Sequence, residues 1–413
     1  MSDLFQLQCP RCDRPYGNAP ITFCEECFTP LEVAYDLKTI RSLLTRAKIE
    51  SRPTNIWRYA ELLPVAAEHR SGLPVGFTPL VHAPELGSQW GADKLHLKND
   101  SVCFPTLSFK DRVVAVALSQ ARAFGFTVVG CASTGNLANA VAAQAARMGL
   151  QAWILVPADL EPAKLLATAV YGAKLVRVHG TYDQVNRLCV EIAEAHAWGF
   201  VNINLRAYYA EGSKTVAYEI AEQLGWRLPD NVVVPMAGGA QIGRIAKGFR
   251  ELVQLGLVAD HQVRLFGAQA SGCAPIANAA RRGSLDIVPE RPNTICHSLA
   301  IGDPADGHRA LQVIKDSGGG AESATDDEIV AGIRLLAERE GVFGETAAGV
   351  TVASAAKLFA QGTISPDQTT VLCITGNGLK TTDAISQTFP ATKALAPRLN
   401  AFESLLNEPA GVA

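Results

Sequence analysis

Short apolar runs alternate with longer amphipathic segments along most of this 413-residue chain. Between residues 128 and 203 the apolar runs predict buried strands at 128–132, 152–156, 174–178 and 200–203. The segments between them carry apolar residues at helical spacing, and they predict helices at 137–148, 162–171 and 182–197. Strands that alternate with helices form βαβ units, so this part of the chain predicts a parallel sheet.

The alternation continues in the second half of the chain. After a helix predicted at 214–224, further strands are predicted at 232–235, 264–268 and 371–375, with helices at 243–255 and 326–340. A chain of this length exceeds what one hydrophobic core usually serves. The pattern therefore predicts two open parallel-sheet α/β domains with a cleft between them.

The predicted domain organisation has five parts. It comprises a four-cysteine module at 1–34, a linker and start of the large domain at 35–92, a small α/β domain at 93–207, a large α/β domain at 208–400, and a tail at 401–413.

The charge of the chain argues against some classes of partner. The 37 basic and 40 acidic side chains leave a net charge of −3, and no run of five like charges occurs. These features predict a small-molecule partner rather than nucleic acid or a membrane surface. The start, Met1-Ser2-Asp3-Leu4, lacks the features of a secretion signal, and no stretch of about 18 apolar residues follows. We therefore expect a cytoplasmic protein.

Four of the ten cysteines are arranged as two CxxC pairs, Cys9 with Cys12 and Cys24 with Cys27. Two such pairs can surround one tetrahedral zinc ion, and this spacing predicts a zinc-ribbon-like module. Four thiolates fill the coordination shell, so the predicted role is structural. Iron bound as in rubredoxin, or reduced thiols without metal, are alternatives that the spacing leaves open.

Three turns follow predicted strands at the sheet edge where ligands bind in open α/β folds. Ser133-Thr134-Gly135-Asn136 opens a helix and can hold an anion, while Gly238-Gly239 lets backbone amides approach a phosphate. Thr375 places a hydroxyl at the end of a buried strand. Lys110 lies at another predicted helix start, and together these groups supply what pyridoxal phosphate needs: an amine, a phosphate cradle and polar partners for the ring.

Four segments resemble motifs of the threonine synthase family and occur in the family's order. They are PTLSFKDR at 105–112, ASTGN at 132–136, EGSKT at 211–215 and TGNGLK at 375–380. The likeness includes the amino-terminal cysteine pairs, FGAQA at 266–270, SLAIGDPAD at 298–306 and ETA at 345–347, and it reaches about residue 385. It implies the fold-type II architecture of pyridoxal-phosphate enzymes, similar to the tryptophan synthase β subunit.

The resemblance also implies roles for individual residues. Lys110 would carry the cofactor as a Schiff base and move protons, Asn136 would bind its ring hydroxyl, and Thr375 would face its ring nitrogen. Ser133, Thr134, Asn204 and Arg206 would contact the carboxylate or phosphate of the substrate. The cofactor phosphate would bind at the loop formed by Ala237, Gly238, Gly239, Ala240 and Gln241.

The family's reaction converts O-phospho-L-homoserine and water to L-threonine and phosphate, and its members are commonly homodimers. A related replacement enzyme, such as a cysteate synthase that uses phosphoserine and sulfite, shares the motifs around the cofactor and stays open as an alternative. A hypothesis of a different class is a non-catalytic protein whose cysteine module binds a partner.

Overall fold

The computed structural model describes residues 4–133, 135–158, 162–179, 182–386, 388 and 394–406. The strands are β1 (Phe5–Gln8), β2 (Pro15–Gly17), β3 (Glu32–Tyr35), β4 (Leu80–His82), β5 (Leu95–Asn99), β6 (Val128–Ala132), β7 (Gln151–Pro157), β8 (Lys174–Val178), β9 (Gly199–Phe200), β10 (Asn231–Pro235), β11 (Arg264–Ala270), β12 (Gly320–Ala324) and β13 (Thr370–Ile374). The helices are α1 (Leu37–Leu43), α2 (Arg46–Glu50), α3 (Pro84–Trp90), α4 (Lys110–Ala123), α5 (Asn136–Met148), α6 (Pro162–Ala169), α7 (Tyr182–His196), α8 (Arg206–Glu211), α9 (Thr215–Gln223), α10 (Ala240–Gln254), α11 (Pro275–Arg281), α12 (Gly307–Asp316), α13 (Asp326–Glu340), α14 (Thr346–Ala360), α15 (Asp383–Ser386) and α16 (Leu399–Leu406).

Within the described part of the chain the strands form three sheets. A small antiparallel sheet has the order β2-β1-β3, a parallel sheet has the order β8-β7-β6-β9, and a six-stranded sheet has the order β12-β11-β10-β13-β5-β4. In the six-stranded sheet only the pairing of β4 with β5 is antiparallel. The prediction of parallel sheets within a two-sheet α/β body is thereby confirmed.

The strands at the centre of the six-stranded sheet are apolar along their length because both faces of the sheet are covered. Along β10, Val232 and Val234 belong to one core cluster and Val233 belongs to another on the opposite face. Along β13, Val371 and Cys373 join the first cluster, while Leu372 joins the second. Successive side chains of a strand point to opposite faces, so these two layers are built by the same short runs.

The chain segments that form the two larger sheets alternate along the sequence. The four-stranded sheet comes from residues 128–200, whereas β4 and β5 precede that range and still pair in the six-stranded sheet. The predicted range 93–207 therefore contributes Leu95–Asn99 to the larger sheet. The domain boundaries themselves stay a prediction.

Several elements differ from the sequence pattern, and two of them show why. The predicted strand 200–203 ends at Phe200, because Ile203 and Leu205 donate backbone hydrogen bonds to the Phe200 carbonyl and turn the chain. The helix α14 (Thr346–Ala360) was not predicted. It is buried on most of its surface and apolar nearly all round, so it lacks the amphipathic periodicity by which a helix is usually found.

The amino-terminal module, residues 5–35, packs on the α/β body through polar contacts. Thr22 donates from Oγ1 to the Ile203 carbonyl at 2.6 Å, and Tyr208 donates to Asn18 at 2.8 Å. Lys247 of α10 donates to the Val33 carbonyl at 2.6 Å. Among the described residues, no helix combines the length and apolar character needed to cross a bilayer.

Candidate active site

Lys110 is the first residue of α4, and the segment before it is held against the turn that follows β13. The Phe109 N–H donates to the Thr375 carbonyl at 2.8 Å, and the Asn377 N–H donates to the Leu107 carbonyl at 3.1 Å. The Lys110 side chain is half-buried, and its Nζ lies 5.7 Å from the ring centroid of Tyr209 on α8. The fold thus brings Lys110 and Thr375 together, although 265 positions separate them in the sequence.

The two residues after Lys110 hold the start of α4 in place. Asp111 accepts from the Thr106 N–H at 3.0 Å and from the Thr106 hydroxyl at 2.7 Å, and its burial raises the pKa of its carboxyl to about 6. Arg112 is fully buried and donates to Asp100 and to Glu219. Both side chains make their hydrogen bonds within the protein, and these bonds hold the start of α4 and so position Lys110. The Lys110 amine is therefore the reactive group of this motif.

Asn136, the first residue of α5, lies between two charged side chains. Its Nδ2 donates to Glu345 Oε2 at 2.9 Å, and its Oδ1 accepts from Lys380 Nζ at 2.8 Å. Burial raises the pKa of Glu345, while the hydrogen bond from Asn136 and the charges of Lys380 and Lys110 act to lower it. The Asn136 motif, the Lys110 motif and the turn after β13 therefore form one cluster.

The glycine-containing turn between β10 and α10 is suited to bind an anion. Gly239 has a φ of +89°, and a Cβ at this position would lie 2.9 Å from the Asp306 carbonyl oxygen, so only glycine fits without strain. The Asp306 N–H donates to the Gly238 carbonyl at 3.0 Å. The first N–H groups of the 15-residue helix α10 have no carbonyl partner within the helix, and this helix end is suited to a phosphate.

The predicted substrate-binding residues differ in the contacts that they make in the structure. Ser133 is half-buried at the end of β6 and accepts from the Gly135 N–H at 3.4 Å, whereas Thr134 lies outside the described residues. Asn204 accepts from the Phe200 N–H at 2.8 Å and donates to the Trp198 carbonyl at 2.9 Å. Arg206 pairs with Asp306 at 2.7 Å, and Asp306 in turn contacts the Gly238 loop.

These residues fit pyridoxal phosphate by their chemistry. The site offers a primary amine at Lys110, a glycine cradle at a helix start for an anion, and the Asn136 amide for a ring oxygen. The Ser108 hydroxyl, two residues before Lys110, is fully buried, and it meets no hydrogen-bond partner within the described part of the chain. A buried hydroxyl of this kind is expected to find a partner, which a ligand bound beside Lys110 would supply.

Sequence reasoning assigned no role to Glu345, Lys380 or Tyr209. Glu345 and Lys380 stand in segments that carried the family resemblance, but nothing in the spacing indicated that they would meet at Asn136. Tyr209 occurs in an apolar stretch that predicts only packing. They come close to the site because the segment after β13, the residue before α14 and the helix α8 all pack near Lys110 or Asn136. The local pattern does not encode this packing.

The four cysteines of the amino-terminal module form a compact cluster. Their sulfur atoms lie within 4.8 Å of one another, with Cys9 and Cys27 at 3.4 Å and Cys12 and Cys24 at 3.6 Å. Zinc–sulfur bonds of about 2.3 Å in a tetrahedron require sulfur separations of roughly 3.8 Å. The cluster therefore fits one zinc ion held by four thiolates.

Comparisons with known proteins show the family to which the chain belongs. A family model described as pyridoxal-phosphate dependent enzyme matches residues 72–376. Threonine synthase from Methanocaldococcus jannaschii is 36% identical over 404 residues, covering 97% of this chain and 99% of that protein. Threonine synthase from Mycobacterium tuberculosis is 36% identical over 343 residues, covering 79% of this chain and 91% of that protein.

Solved structures with the same fold are more distant in sequence. Diaminopropionate ammonia lyase from Escherichia coli superposes with a TM-score of 0.65 at 19% identity, covering 84% of this chain and 93% of that one. Threonine deaminase isoform 2 from Solanum lycopersicum has a TM-score of 0.64 at 20% identity, covering 81% and 91%. These structures establish the fold-type II architecture. The chain belongs to the threonine synthase family of pyridoxal-phosphate-dependent lyases.

Proposed function

We propose that this protein converts O-phospho-L-homoserine and water to L-threonine and inorganic phosphate, with Lys110 as the catalytic amine. Two contacts carry the proposal: the Phe109 N–H bonds to the Thr375 carbonyl at 2.8 Å, and Lys380 bonds to Asn136 at 2.8 Å. They join three motifs from distant parts of the chain around one lysine. An amine in such a polar, half-buried setting is the group that a carbonyl cofactor requires.

The cofactor would be held at four positions. Lys110 would bind its aldehyde carbon, and Asn136 would donate to its ring oxygen. The Thr375 hydroxyl, at the carboxyl end of β13, would face its ring nitrogen. The backbone N–H groups of Ala237, Gly238, Gly239, Ala240 and Gln241 would bind its phosphate at the positive end of α10.

When bound, pyridoxal phosphate supplies an electron sink that makes a proton on the substrate Cα easier to remove. Lys110 Nζ would take that proton and return it later, because its position at the start of α4 is fixed by Asp111 and Arg112. The half-buried setting of Lys110 limits access of water until the addition step.

The substrate would be held at the other side of the cleft. Ser133 and Thr134, with the Gly135 N–H, would bind its carboxylate at the start of α5. Arg206 would bind its phosphate in place of Asp306. The two side chains of this ion pair are about a quarter exposed, so a substrate phosphate can reach the guanidinium. Asn204 has both ends of its amide bound to backbone, so we assign it to support of the turn before Arg206.

A phosphate-release assay tests the substrate. The purified enzyme is incubated with phosphohomoserine or phosphoserine, each with and without sulfite, and the amino-acid product is identified by mass. We expect threonine from phosphohomoserine alone. Release of phosphate only from phosphoserine with sulfite, with cysteate as the product, would replace this proposal by the cysteate synthase alternative.

Substitution of Lys110 tests the catalytic amine. Lys110→Ala is expected to lose the visible absorbance of the bound cofactor and to lose roughly 10²- to 10⁴-fold in turnover. Borohydride reduction of the wild type should leave the cofactor mass on the peptide that contains Lys110. The exposed Lys315 at the end of α12 provides the control, since Lys315→Ala should keep both absorbance and turnover.

The remaining predictions form part of the same proposal. We propose that Cys9, Cys12, Cys24 and Cys27 bind a structural zinc ion. We also propose that the chain divides near residues 34, 92, 207 and 400, with β5 paired into the larger sheet. We also propose a cytoplasmic homodimer. Metal analysis, limited proteolysis, fractionation of cells and light scattering check these four points separately.

A further inference from the structure

The orientation of the Asn136 amide is determined by charge on both sides. Its oxygen faces the Lys380 ammonium at 2.8 Å, and its nitrogen faces Glu345 Oε2 at 2.9 Å. The reversed amide would set N–H groups against the ammonium and an oxygen against the carboxylate. Both contacts would then be repulsive. The pair Lys380 and Glu345 therefore selects one orientation.

Both charged partners are themselves held by the fold. Lys380 ends the short turn Gly378–Lys380, and the Asn377 side chain at its start donates to the Ser101 carbonyl at 3.0 Å. Glu345 is 3% exposed, and its N–H donates to the Gly376 carbonyl at 2.9 Å. A Cβ at Gly376 would collide with the Glu345 carboxylate, so this turn and this acid fit together only with glycine.

Three titratable groups from other segments of the chain act on Lys380. Burial lowers the pKa of Lys380, whereas Glu345, Asp111 and Cys103 act to raise it. Glu345 faces Asn136, Lys380, Lys110 and Thr375. An ammonium with two acids nearby stays charged more readily than an isolated buried lysine. Lys380 therefore places a positive charge on one side of the Asn136 amide, and the cofactor ring oxygen assigned to Asn136 would lie on the other.

We propose that Lys380 is a positioning residue for the cofactor. Its ammonium fixes the Asn136 amide, so that one Nδ2 hydrogen binds Glu345 and the other is presented to the ring oxygen of pyridoxal phosphate. Its charge also favours the deprotonated form of that ring oxygen. This inference rests on the proposed function, because it assigns the ring oxygen to Asn136.

Two measurable effects follow. Without a hydrogen-bond donor at position 380, the Asn136 amide can rotate, and the cofactor should bind roughly tenfold more weakly. Without the positive charge, the proton shared near the ring oxygen is held more tightly, and the pH midpoint of the visible absorbance change should rise by about one unit. The first effect reports hydrogen bonding and the second reports charge.

Three substitutions separate these effects in the holoenzyme without substrate. Lys380→Met removes both donor and charge, Lys380→Gln keeps a neutral donor, and Lys380→Arg keeps both. We expect the pH midpoint to rise in the Met and Gln variants and to return in the Arg variant. Cofactor affinity should fall in the Met variant and stay within about threefold of the wild type in the Gln variant.

A matched control uses another partly buried lysine that forms a similar pair of contacts. Lys357 on α14 donates to the Ser323 carbonyl at 2.8 Å and pairs with Glu328 at 2.7 Å. Lys357→Met should leave both the pH midpoint and the cofactor affinity unchanged. A shift of equal size in this control, or midpoints of the Met and Gln variants equal to the wild type, would overturn the inference.

The same samples distinguish this inference from the proposed function. If the wild type binds pyridoxal phosphate at Lys110 but the Lys380 variants titrate like it, only the positioning role fails. If the wild type takes up no cofactor and borohydride leaves no adduct on Lys110, the proposed function itself fails. Circular dichroism of each variant identifies any that does not fold, and the remaining variants then decide the outcome.

Discussion

Arg112 donates to Glu219 from both of its terminal nitrogens, and neither side chain has any exposed surface. The same guanidinium binds Asp100 at 2.7 and 2.8 Å, and Lys98 pairs with Glu219 at 2.7 Å. These contacts join α4, α9 and the end of β5 through charges that water cannot reach. Arg112 stands two residues after Lys110, so the start of α4 is fixed by a buried ion network.

Removing Arg112 should strongly destabilise the protein. Arg112→Met leaves Asp100 and Glu219 as uncompensated buried carboxylates, and we expect a loss on the order of 3–5 kcal/mol in the free energy of unfolding. Urea denaturation followed by circular dichroism measures it. The exposed pair of Arg334 and Glu338 at 3.1 Å is the control, because Arg334→Met should cost less than about 1 kcal/mol. Equal losses would contradict the role of burial.

Replacing Gly239 should weaken cofactor binding. Gly239→Ala introduces a Cβ that would lie 2.9 Å from the Asp306 carbonyl oxygen and 3.0 Å from the Ala310 Cβ, closer than van der Waals contact, in a backbone conformation that alanine disfavours. We expect at least roughly tenfold weaker binding of pyridoxal phosphate to the apoenzyme, as measured by fluorescence titration. Gly341→Ala is a matched control, since Gly341 also has a positive φ but lies in open space after α13. Its affinity should match the wild type.

Breaking the cysteine cluster should release its metal. Cys24 is buried beside Cys12 at 3.6 Å and accepts a hydrogen bond from Tyr16 at 3.1 Å, so Cys24→Ser removes one ligand from the centre of the cluster. We expect bound zinc to fall from about one ion per chain and the thermal midpoint to decrease. Cys189→Ser, which changes a buried thiol outside the cluster, should keep the metal. Iron in place of zinc would be seen in the same elemental analysis.

Acid should destabilise the protein partly through Glu61. Burial alone would raise the pKa of this carboxyl, but hydrogen bonds from Arg52 at 2.6 and 2.7 Å lower it to about 2. The folded pKa lies below the usual value of 4.5, so the stabilisation is complete above pH 4.5 and is lost as the pH falls towards 2.

The comparison of Glu61→Gln with the wild type measures this contribution. The variant should be less stable near pH 7, and its urea midpoint should decline less steeply between about pH 4.5 and 2. Glu338→Gln changes an exposed carboxylate and should decline in parallel with the wild type. Parallel declines of the Glu61 variant and the wild type would show that Glu61 does not carry this part of the acid sensitivity.

The sequence predicted those parts of the fold that depend on neighbouring residues. Strands β6 and β8 lie where the apolar runs placed them, and α13 begins at Asp326 behind the capping box of Thr325 and Glu328. The four cysteines meet because each pair shares one short turn. Short-range spacing determines all of these features, so the pattern along the chain was sufficient.

Other elements were hidden because their composition misleads. Strand β5 contains Lys98, which is 1% exposed and would ordinarily indicate a surface position. Its ammonium donates to the Thr78 carbonyl at 2.6 Å and to Gln223 at 2.9 Å, and it pairs with Glu219. A buried charge of this kind becomes acceptable only when partners from other elements arrive, and the strand by itself does not reveal them.

The sequence by itself determined which chemical groups this protein carries: a lysine at a helix start, glycine turns after buried strands, and two cysteine pairs. The tertiary structure alone decided that Glu345 and Lys380 meet at Asn136, and that Tyr209 stands over Lys110. The physical reason is the separation along the chain of the residues that make contact. Periodicity records the environment of residues a few positions apart, whereas these contacts form where the ends of strands and helices from distant segments converge.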